Sequence, residues 1–302
     1  MTARLLDGLP RSVRNFLRYD LPALLELRHG EAELRILPKL LGQRGGIVDV
    51  GANVGVYSRL TRLLGRSVIA FEPNPGVADH LRSALQGDGT VHEVCLSDTC
   101  GDATFFIPQT VAGADISSRG SLEASANSDR ASRSITVPTR RLDDYQLDDI
   151  ALLKIDVEGH EWPVLLGGAE TISRAQPVVL VEVEEHRAPG NLSHITEFMQ
   201  ARGYSGWYLH GRTAQPIAEF DTALLQRADQ APVYGAARSS STYVNNFLWL
   251  PASRLARTVL PAANRSAVAG AAAVAGCAVG RMRRLSSTSR SDRFRSKWGQ
   301  DS

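Results

Sequence analysis

The sequence predicts an α/β fold in which a doubly wound, mostly parallel sheet carries helices on both faces and an antiparallel hairpin at one edge. Short apolar runs alternate with helical patterns along most of the chain, as expected when each strand is followed by a crossover helix. The first run stops at a glycine turn that opens a helix, and the second ends in the acidic residue Glu72. Seven runs are assigned to one sheet, and the last two, residues 206–210 and 245–250, are predicted to pair antiparallel.

Residues 1–42 precede the first strand and are predicted to form an N-terminal helical cap. Four leucines recur there at helical spacing, namely Leu34, Leu37, Leu40 and Leu41. Such a stripe indicates one buried helix face, so we expect the cap to pack beside the sheet.

The glycine turn reads Gly51-Ala52-Asn53-Val54-Gly55 and lies between a strand at 47–50 and a predicted helix at 56–64. Glycines allow the backbone to approach a ligand without an intervening side chain, and the amino end of the helix offers free N–H groups. Glu72, at the end of the second strand, is placed to bind a ribose diol. The arrangement is typical of an adenosine-ligand site, although a strand–helix turn that merely packs can show the same pattern.

Two features distinguish between adenosine ligands. Dinucleotide-binding turns carry the pattern G-x-G-x-x-G, which this turn lacks. Asp49 also lies in the strand just before the turn, where a carboxylate would repel a diphosphate but suits a ligand with sulfonium and ammonium groups. The sequence therefore predicts binding of S-adenosylmethionine (SAM), and a dinucleotide oxidoreductase is the disfavoured alternative.

A long polar segment interrupts the alternation of strands and helices. The third predicted strand is followed by Ser97 and Asp98, at the ligand edge of such a sheet. Two further apolar runs, residues 103–107 and 134–137, then bracket residues 109–133, which show no hydrophobic periodicity. Loops of this length in compact domains are usually functional or disordered. We favour a mobile lid over the substrate, with plain disorder as the alternative.

The fourth and fifth predicted strands, residues 151–155 and 178–183, end in acidic clusters. Open α/β sheets bind ligands at the carboxyl ends of neighbouring strands, so these clusters mark the reacting edge. If the fourth strand continued, its alternation would put Asp156 and Glu158 on one face. The candidate catalytic residues are Asp156, Glu158, His160 and Glu182.

Charge is distributed unevenly along the 302 residues, whose formal charge is +2. Residues 252–302 hold ten Arg or Lys and two Asp, hence +8, which leaves −6 for residues 1–251. The basic character therefore belongs to a C-terminal tail, residues 251–302. We predict that this tail is partly disordered, with a weak contact to a membrane surface or a polyanion as the alternative. The acidic main domain, residues 43–250, gives no reason to expect a nucleic acid partner.

The cysteines and the N-terminus indicate the compartment. Cys95, Cys100 and Cys277 form neither a metal-ligand spacing nor an even disulfide set, which favours a reducing compartment. Charged residues interrupt the first 25 positions, so the apolar core of a signal peptide does not appear there. The sequence thus predicts a cytoplasmic location.

Five segments, in this order and spacing, resemble the FkbM-type SAM-dependent methyltransferase family: GIVDVGANVGVYS, VIAFEPNP, RLDDY, LLKIDVEGHEWPVLLGG and PVVLVEVEEH. The resemblance covers roughly residues 32–250, and the Lys-Ile-Asp-Val-Glu-Gly stretch is its most particular part. It implies the Rossmann-like class I methyltransferase fold and O-methylation of sugars or natural products.

The same resemblance implies which residues bind the cofactor. Glu72 would hold the ribose hydroxyls, and the loop with Ser97 and Asp98 would lie near the adenine. The methionine part of SAM would be lined by Asp49, Gly51, Asn53 and Gly55.

Methyl transfer to a hydroxyl requires alignment of the acceptor with the methyl–sulfur axis and removal of the acceptor proton. We place Asp156 on the acceptor side. Either a carboxylate or His160 acts as the general base, or the carboxylates hold Mg²⁺ or Mn²⁺. We favour the metal-free base because no fixed ligand spacing enforces a metal. The expected activity is O-methylation of a small-molecule or glycan acceptor, and the alternative is a non-catalytic SAM-binding or scaffold protein that has kept the fold.

Overall fold

The computed structural model describes residues 10–43, 45–116, 119–127, 131–211, 213–227, 230 and 243–255. The helices in these ranges are α1 (Arg11–Asn15), α2 (Leu21–His29), α3 (Leu37–Leu41), α4 (Val56–Leu63), α5 (Pro75–Leu85), α6 (Glu161–Gly167), α7 (Ala169–Ala175), α8 (Asn191–Ala201), α9 (Thr222–Leu225) and α10 (Ala252–Leu255). The strands are β1 (Gly46–Val50), β2 (Val68–Phe71), β3 (Thr90–His92), β4 (Cys95–Leu96), β5 (Gly101–Pro108), β6 (Ser132–Arg140), β7 (Ile150–Ile155), β8 (Val178–Glu182), β9 (Tyr204–His210), β10 (Thr213–Pro216) and β11 (Asn246–Pro251).

Eight strands form the main sheet in the order β10-β9-β11-β8-β7-β1-β2-β3. From β8 to β3 all neighbours run parallel, whereas β11 is antiparallel to both β8 and β9, and β10 is antiparallel to β9. Apolar layers cover both faces of the sheet. The predicted fold class is confirmed, including the antiparallel pairing of the last two predicted strands.

The strand count differs from the prediction in two places. The short strand β10 makes the main sheet eight-stranded instead of seven-stranded, and its sequence TAQP has no apolar run to reveal it. The run predicted at residues 90–95 also divides. Its first part, β3, stays in the main sheet, and β4 pairs with β6 in a separate sheet of order β4-β6-β5.

The N-terminal helices pack on one face of the main sheet. The predicted leucine stripe is buried there in a cluster with residues of β1 and β7: Leu34, Leu37, Leu40, Leu41, Ile47 and Leu152. An ion pair adds to this contact, because Arg62 of α4 lies 2.5 Å from Asp20 and both side chains are largely buried. The cap thus rests on the strand and helix that flank the glycine turn.

The separate sheet carries the described part of the segment that we predict to be a lid. Ile116 is fully buried, and its N–H donates to the carbonyl of Pro108 at 2.7 Å. Ser121 exchanges two backbone hydrogen bonds with Phe106, at 2.8 and 3.0 Å. Parts of residues 109–133 are therefore packed against β5, and their movement over a substrate stays a prediction.

The chain remains in contact with the sheet beyond residue 250. Pro251 is the last residue of β11, and Arg254 donates from Nη1 to the carbonyl of Ala151 at 2.7 Å. The rest of the predicted tail, residues 256–302, lies outside the described residues. Of the helices described above, none has the length and apolar character needed to cross a membrane.

Candidate active site

Asp49 is the acidic residue inside β1, and it is almost fully buried. Its Oδ2 accepts hydrogen bonds from the backbone N–H of Ser58 at 3.2 Å and from the Ser58 hydroxyl at 2.6 Å. Burial raises the pKa of Asp49, and the bonds from Ser58 partly offset that effect. The carboxylate ties the first strand to helix α4.

The glycine turn follows β1 directly and is held in left-handed backbone conformations. Gly51 and Gly55 have φ angles of 72° and 77°, and Asn53 has a φ of 49°. A Cβ atom on Gly51 would clash with the carbonyl oxygen of Asp156, and one on Gly55 would clash with Leu81. Packing and backbone conformation therefore require both glycines, and the predicted approach of a ligand to them stays a prediction.

Asn53 offers an unpaired acceptor at the centre of this turn. Its N–H donates to Glu72 Oε2 at 2.8 Å. Its side-chain oxygen Oδ1 is buried and has no hydrogen-bond partner among the described residues. Buried polar atoms rarely stay unpaired, so this oxygen is available to a donor group of a ligand.

Glu72 follows β2 and is buried at the predicted ligand edge. Oε2 accepts from Asn53 as above, and Oε1 accepts from the backbone N–H of Asn74 at 2.9 Å. Burial raises the pKa of Glu72 to about 7, because these two bonds offset only part of the cost of burying a charge. The two donors fix the carboxylate at the end of the strand.

Ser97 and Asp98 line neither of the two pockets that open at this edge of the sheet, and Cys95 lies in the wall of the first. Ser97 Oγ instead lies 3.0 Å from His160 Nε2 and donates to Asp98 Oδ1 at 3.2 Å. On the other side of the ring, His160 Nδ1 lies 2.7 Å from Glu123 Oε1. His160 therefore links the end of β4 to the predicted lid segment.

The strand β7 ends at Ile155, and the chain then turns away instead of continuing as a strand. Glu158 and Gly159 both have positive φ angles, 56° and 106°. The alternation expected to put Asp156 and Glu158 on one strand face is therefore absent. Glu158 Oε2 pairs with Arg187 Nη1 at 2.7 Å, and burial raises the pKa of Glu158 to about 8.

Lys154 is a site residue that the sequence reasoning missed. Its ammonium nitrogen lies 3.2 Å from Asp156 Oδ2, and its side chain is 3% exposed. Burial alone would lower the pKa of Lys154, but surrounding carboxylates raise it above its usual value: Asp156, Glu182, Glu31 and Asp49. A lysine inside an apolar strand was the available signal, since lysines are almost never fully buried unless they are paired.

Glu182, at the end of β8, also belongs to the group of charged residues around Lys154. Its Oε1 accepts from Asn245 Nδ2 at 2.6 Å. Burial, followed by the charge of Asp156, raises the pKa of Glu182 well above its usual value. The cap reaches the same group through Glu31, whose charge acts on Lys154 and Glu182 and whose Oε2 accepts from the Tyr57 hydroxyl at 2.6 Å.

Two pockets open at this edge of the sheet and share Gly51, Asn53 and Asp156. The first has about 560 Å³ of empty space, part of it open to solvent, and contains Glu72, Glu158 and His160. Its apolar wall is formed by Val50, Phe71, Val94, Leu96, Phe105 and Leu122. The second holds about 1300 Å³ between the cap and the glycine turn, and its charged residues are Glu26, Glu31, Asp49, Lys154 and Asp156. A ligand that occupied both pockets would pass Asp156.

The strand order, with this site at the carboxyl ends of β1, β2 and β7, defines the class I methyltransferase fold. The family model for the FkbM methyltransferase domain matches residues 49–205, which is just over half of the 302-residue chain. The chain belongs to the FkbM methyltransferase family.

Several known proteins are similar to this chain. Hexuronic acid methyltransferase AglP of Haloferax volcanii is 30% identical over 167 residues, which cover 53% of this chain and 64% of that protein. Among solved structures, an FkbM methyltransferase from Methylobacillus flagellatus KT has a TM-score of 0.43 and 15% identity, over 68% of this chain and 43% of that one. A SAM-bound magnesium protoporphyrin IX methyltransferase from Synechocystis PCC 6803 has a TM-score of 0.38 and 12% identity, over 81% and 86%. The chain thus spans less than two thirds of the first two proteins.

Proposed function

We propose that the chain transfers a methyl group from SAM to a hydroxyl group of a small-molecule or glycan acceptor. The observation that carries this proposal is the meeting of an apolar pocket and a charged pocket at Asp156. Membership of the FkbM family supports SAM as the donor. The hexuronic acid methyltransferase relative supports a saccharide acceptor.

The residues where the pockets meet fit SAM, which when bound supplies a methyl group activated on a sulfonium. Glu72 presents a buried carboxylate for the ribose hydroxyls. The unpartnered Asn53 Oδ1 can accept a hydrogen bond from the ammonium group, and the carboxylates of Asp49 and Asp156 favour a cationic ligand. For the adenine, the apolar wall beside Cys95 supports a contact better than Ser97 or Asp98 do.

Asp156 is the proposed general base for the acceptor hydroxyl. It is the candidate that lines both pockets, and its side chain is 32% exposed. Asp156 is itself paired with Lys154 at 3.2 Å, so its place in both pockets is what distinguishes it. The other three candidates have partners of their own: Glu158 has Arg187, His160 has Ser97 and Glu123, and Glu182 has Asn245. A positioned base of this kind contributes about 10²–10⁴-fold to the rate.

A divalent cation is the second way to activate a hydroxyl. Within the described ranges, no group of three or more His, Cys, Asp or Glu side chains is positioned to hold a metal ion, so the metal-free base stays our proposal. Full activity after treatment with EDTA would agree with it. Activity that is lost with EDTA and restored by Mg²⁺ or Mn²⁺ would replace the base by a metal.

The charges of the second pocket favour a hydroxyl over a carboxylate as the accepting group. Four carboxylates there face one ammonium, that of Lys154. A carboxylate acceptor would be repelled in this environment, whereas a neutral hydroxyl would not. Methylation of a carboxyl group is the second candidate, because the relative is a hexuronic acid methyltransferase.

The test uses SAM with a labelled methyl group and an extract of the source cell. We expect a labelled product whose methyl group resists mild alkali, because an ether is stable under conditions that hydrolyse a methyl ester. Release of the label by alkali would establish carboxyl methylation instead. SAM binding in calorimetry without any labelled product would indicate a non-catalytic SAM-binding protein.

A further inference from the structure

The N-terminal cap exposes large apolar side chains on α1, on α2 and on the π-helical segment Phe16–Asp20 that joins them. Between 36% and 52% of the surface of each of five residues is open to solvent: Val13, Phe16, Leu21, Leu24 and Leu25. We call these five residues, with the neighbouring Arg11, Arg18 and Arg28, the cap surface. Contiguous apolar patches of this kind mark sites of interaction with proteins or membranes.

Helix α2 is apolar on two sides. Ala23 is fully buried and Leu27 packs against the core cluster, so this side is occupied by the protein itself. Leu21, Leu24 and Leu25 lie on the other side, at spacings of three and four residues that place them on one helix face. An apolar helix face is normally covered by other parts of the protein or by a partner, and the described residues leave this one open.

The charges around these residues are predominantly positive. Arg11, Arg18 and Arg28 are exposed, and Glu26 is the one exposed acidic residue within residues 10–43. Asp20 is buried in its ion pair with Arg62. Residues 10–43 hold six Arg or Lys and four Asp or Glu, hence +2, whereas residues 1–251 carry −6.

We propose that the cap surface docks onto an anionic lipid membrane. Leucine and phenylalanine side chains at the surface of a basic helix enter the boundary between headgroups and acyl chains, while arginines contact the lipid phosphates. The same positive charge opposes self-association, because two copies facing each other through this surface would bring like charges together. Helix α2 also contributes Glu26 to the second pocket, so docking brings a wall of that pocket to the lipid surface.

The test measures sedimentation of the full chain with vesicles. We expect binding to phosphatidylcholine vesicles that contain about 30% phosphatidylglycerol, much weaker binding to pure phosphatidylcholine, and loss of binding at about 0.5 M salt. The double variant L24E/L25E should reduce the bound fraction at least about tenfold, because two charges replace two inserting side chains. The matched control is L224E, since Leu224 is an exposed leucine on α9 and is 62% exposed.

Three outcomes would overturn the proposal. Unchanged binding of L24E/L25E would assign membrane contact to another part of the chain, such as the basic tail. A wild-type dimer in light scattering that L24E/L25E converts to a monomer, without vesicle binding, would show that a second copy covers the surface. Equal binding to neutral vesicles would contradict the role of the arginines. Circular dichroism checks the fold of each variant, and R11Q/R28Q provides a second test if L24E/L25E does not fold.

Discussion

The two pockets at the carboxyl edge of the sheet differ in how their carboxylates are stabilised. In the first pocket, the buried carboxylate of Glu72 accepts from two backbone N–H groups, and Glu158 pairs with Arg187, which also pairs with Glu184. In the second pocket, Asp49 and Asp156 share the electrostatic effect of one buried ammonium, that of Lys154. Glu72 can therefore bind a ligand without a change in any ion pair, whereas a change of charge at Asp156 or Lys154 affects several groups at once.

This difference is consistent with separate roles for the two pockets, one in binding the nucleoside and one at the reacting groups. An apolar wall with a fixed carboxylate is suited to recognise a nucleoside by shape and by its diol. A cluster in which several carboxylates depend on one lysine is suited to hold a cationic sulfonium and to receive a proton. The following substitutions test this separation of roles, from the largest expected effect to the smallest.

Among these substitutions, Lys154→Met should have the largest effect, and the property affected is the stability of the fold. Removing the ammonium leaves the buried carboxylates of Asp49 and Glu182 without their counter-charge, which costs about 3–5 kcal/mol in free energy of unfolding. Lys39→Met is the matched control, because Lys39 is exposed on α3 and its loss should change stability by about 0.5 kcal/mol or less. Urea unfolding measures both variants. The loss of unfolding free energy in Lys154→Met should become smaller as the pH falls. The raised pKa of Glu182 lets that carboxyl become neutral at a higher pH than an ordinary glutamate would.

Equal stability of Lys154→Met and Lys39→Met would contradict the idea of a shared counter-charge. It would mean that the surrounding carboxylates are already neutral or hydrated at neutral pH.

Asp156→Asn should reduce turnover at least about a hundredfold, the lower end of a general base contribution. SAM should still bind, although more weakly, because one of the two carboxylates that favour the cationic ligand is lost. Asparagine keeps the shape of the side chain and an oxygen near Lys154, but it cannot take a proton. Asp148→Asn is the control, since Asp148 is an exposed residue whose side chain is 76% exposed. Turnover of Asp156→Asn at the wild-type rate would remove Asp156 from the chemistry under either mechanism.

Glu72→Ala should weaken SAM binding by about 1.5–3 kcal/mol, the range for hydrogen bonds to a charged group. Calorimetry measures this loss, with the exposed Glu197→Ala as control. Tight binding of a dinucleotide by the wild type, without binding of SAM, would contradict the whole assignment of the first pocket.

The raised pKa of Glu72 adds a pH dependence to this prediction. Folding disfavours the charged form, so the residue costs no stability below its ordinary pKa of 4.5 and costs most above about 7. Glu72→Gln should therefore match the wild type near pH 4 and exceed it in free energy of unfolding above pH 7. SAM affinity should behave in the opposite way, rising in the wild type as the pH passes 7 and staying flat in Glu72→Gln.

The parts of this structure that were predictable are those set by local patterns. The apolar runs of β1, β2, β7 and β8 identified the parallel strands, and the rule that ligands bind at carboxyl ends of strands located the candidate site. Asp156 could be placed at the carboxyl edge of the sheet for the same reason. Local patterns also indicated the buried leucine stripe of the cap.

The parts that were not predictable depend on contacts between distant residues or on backbone details. The sequence near Glu158 does not predict the left-handed backbone conformation of this residue. That conformation directs the Glu158 side chain to Arg187. The partners of Lys154 come from the cap and from three strands, and no local window contains them. Strand β10 is polar and is defined only by its pairing with β9.

The smallest expected effect concerns the contact between the first pocket and the predicted lid segment. Glu123 bonds to His160 at 2.7 Å and its side chain is 43% exposed, so the pair contributes only about 0.5–1 kcal/mol. Glu123→Gln should therefore increase amide hydrogen exchange of residues 121–126 by about two- to fivefold. Asp115→Asn is the control, because it breaks a comparable exposed ion pair with Arg133 that does not touch His160. If the segment is a lid, SAM and acceptor together should slow its exchange in the wild type. Identical exchange in the free and bound wild type, together with full activity after the segment is shortened, would show that residues 109–133 do not close over the substrate.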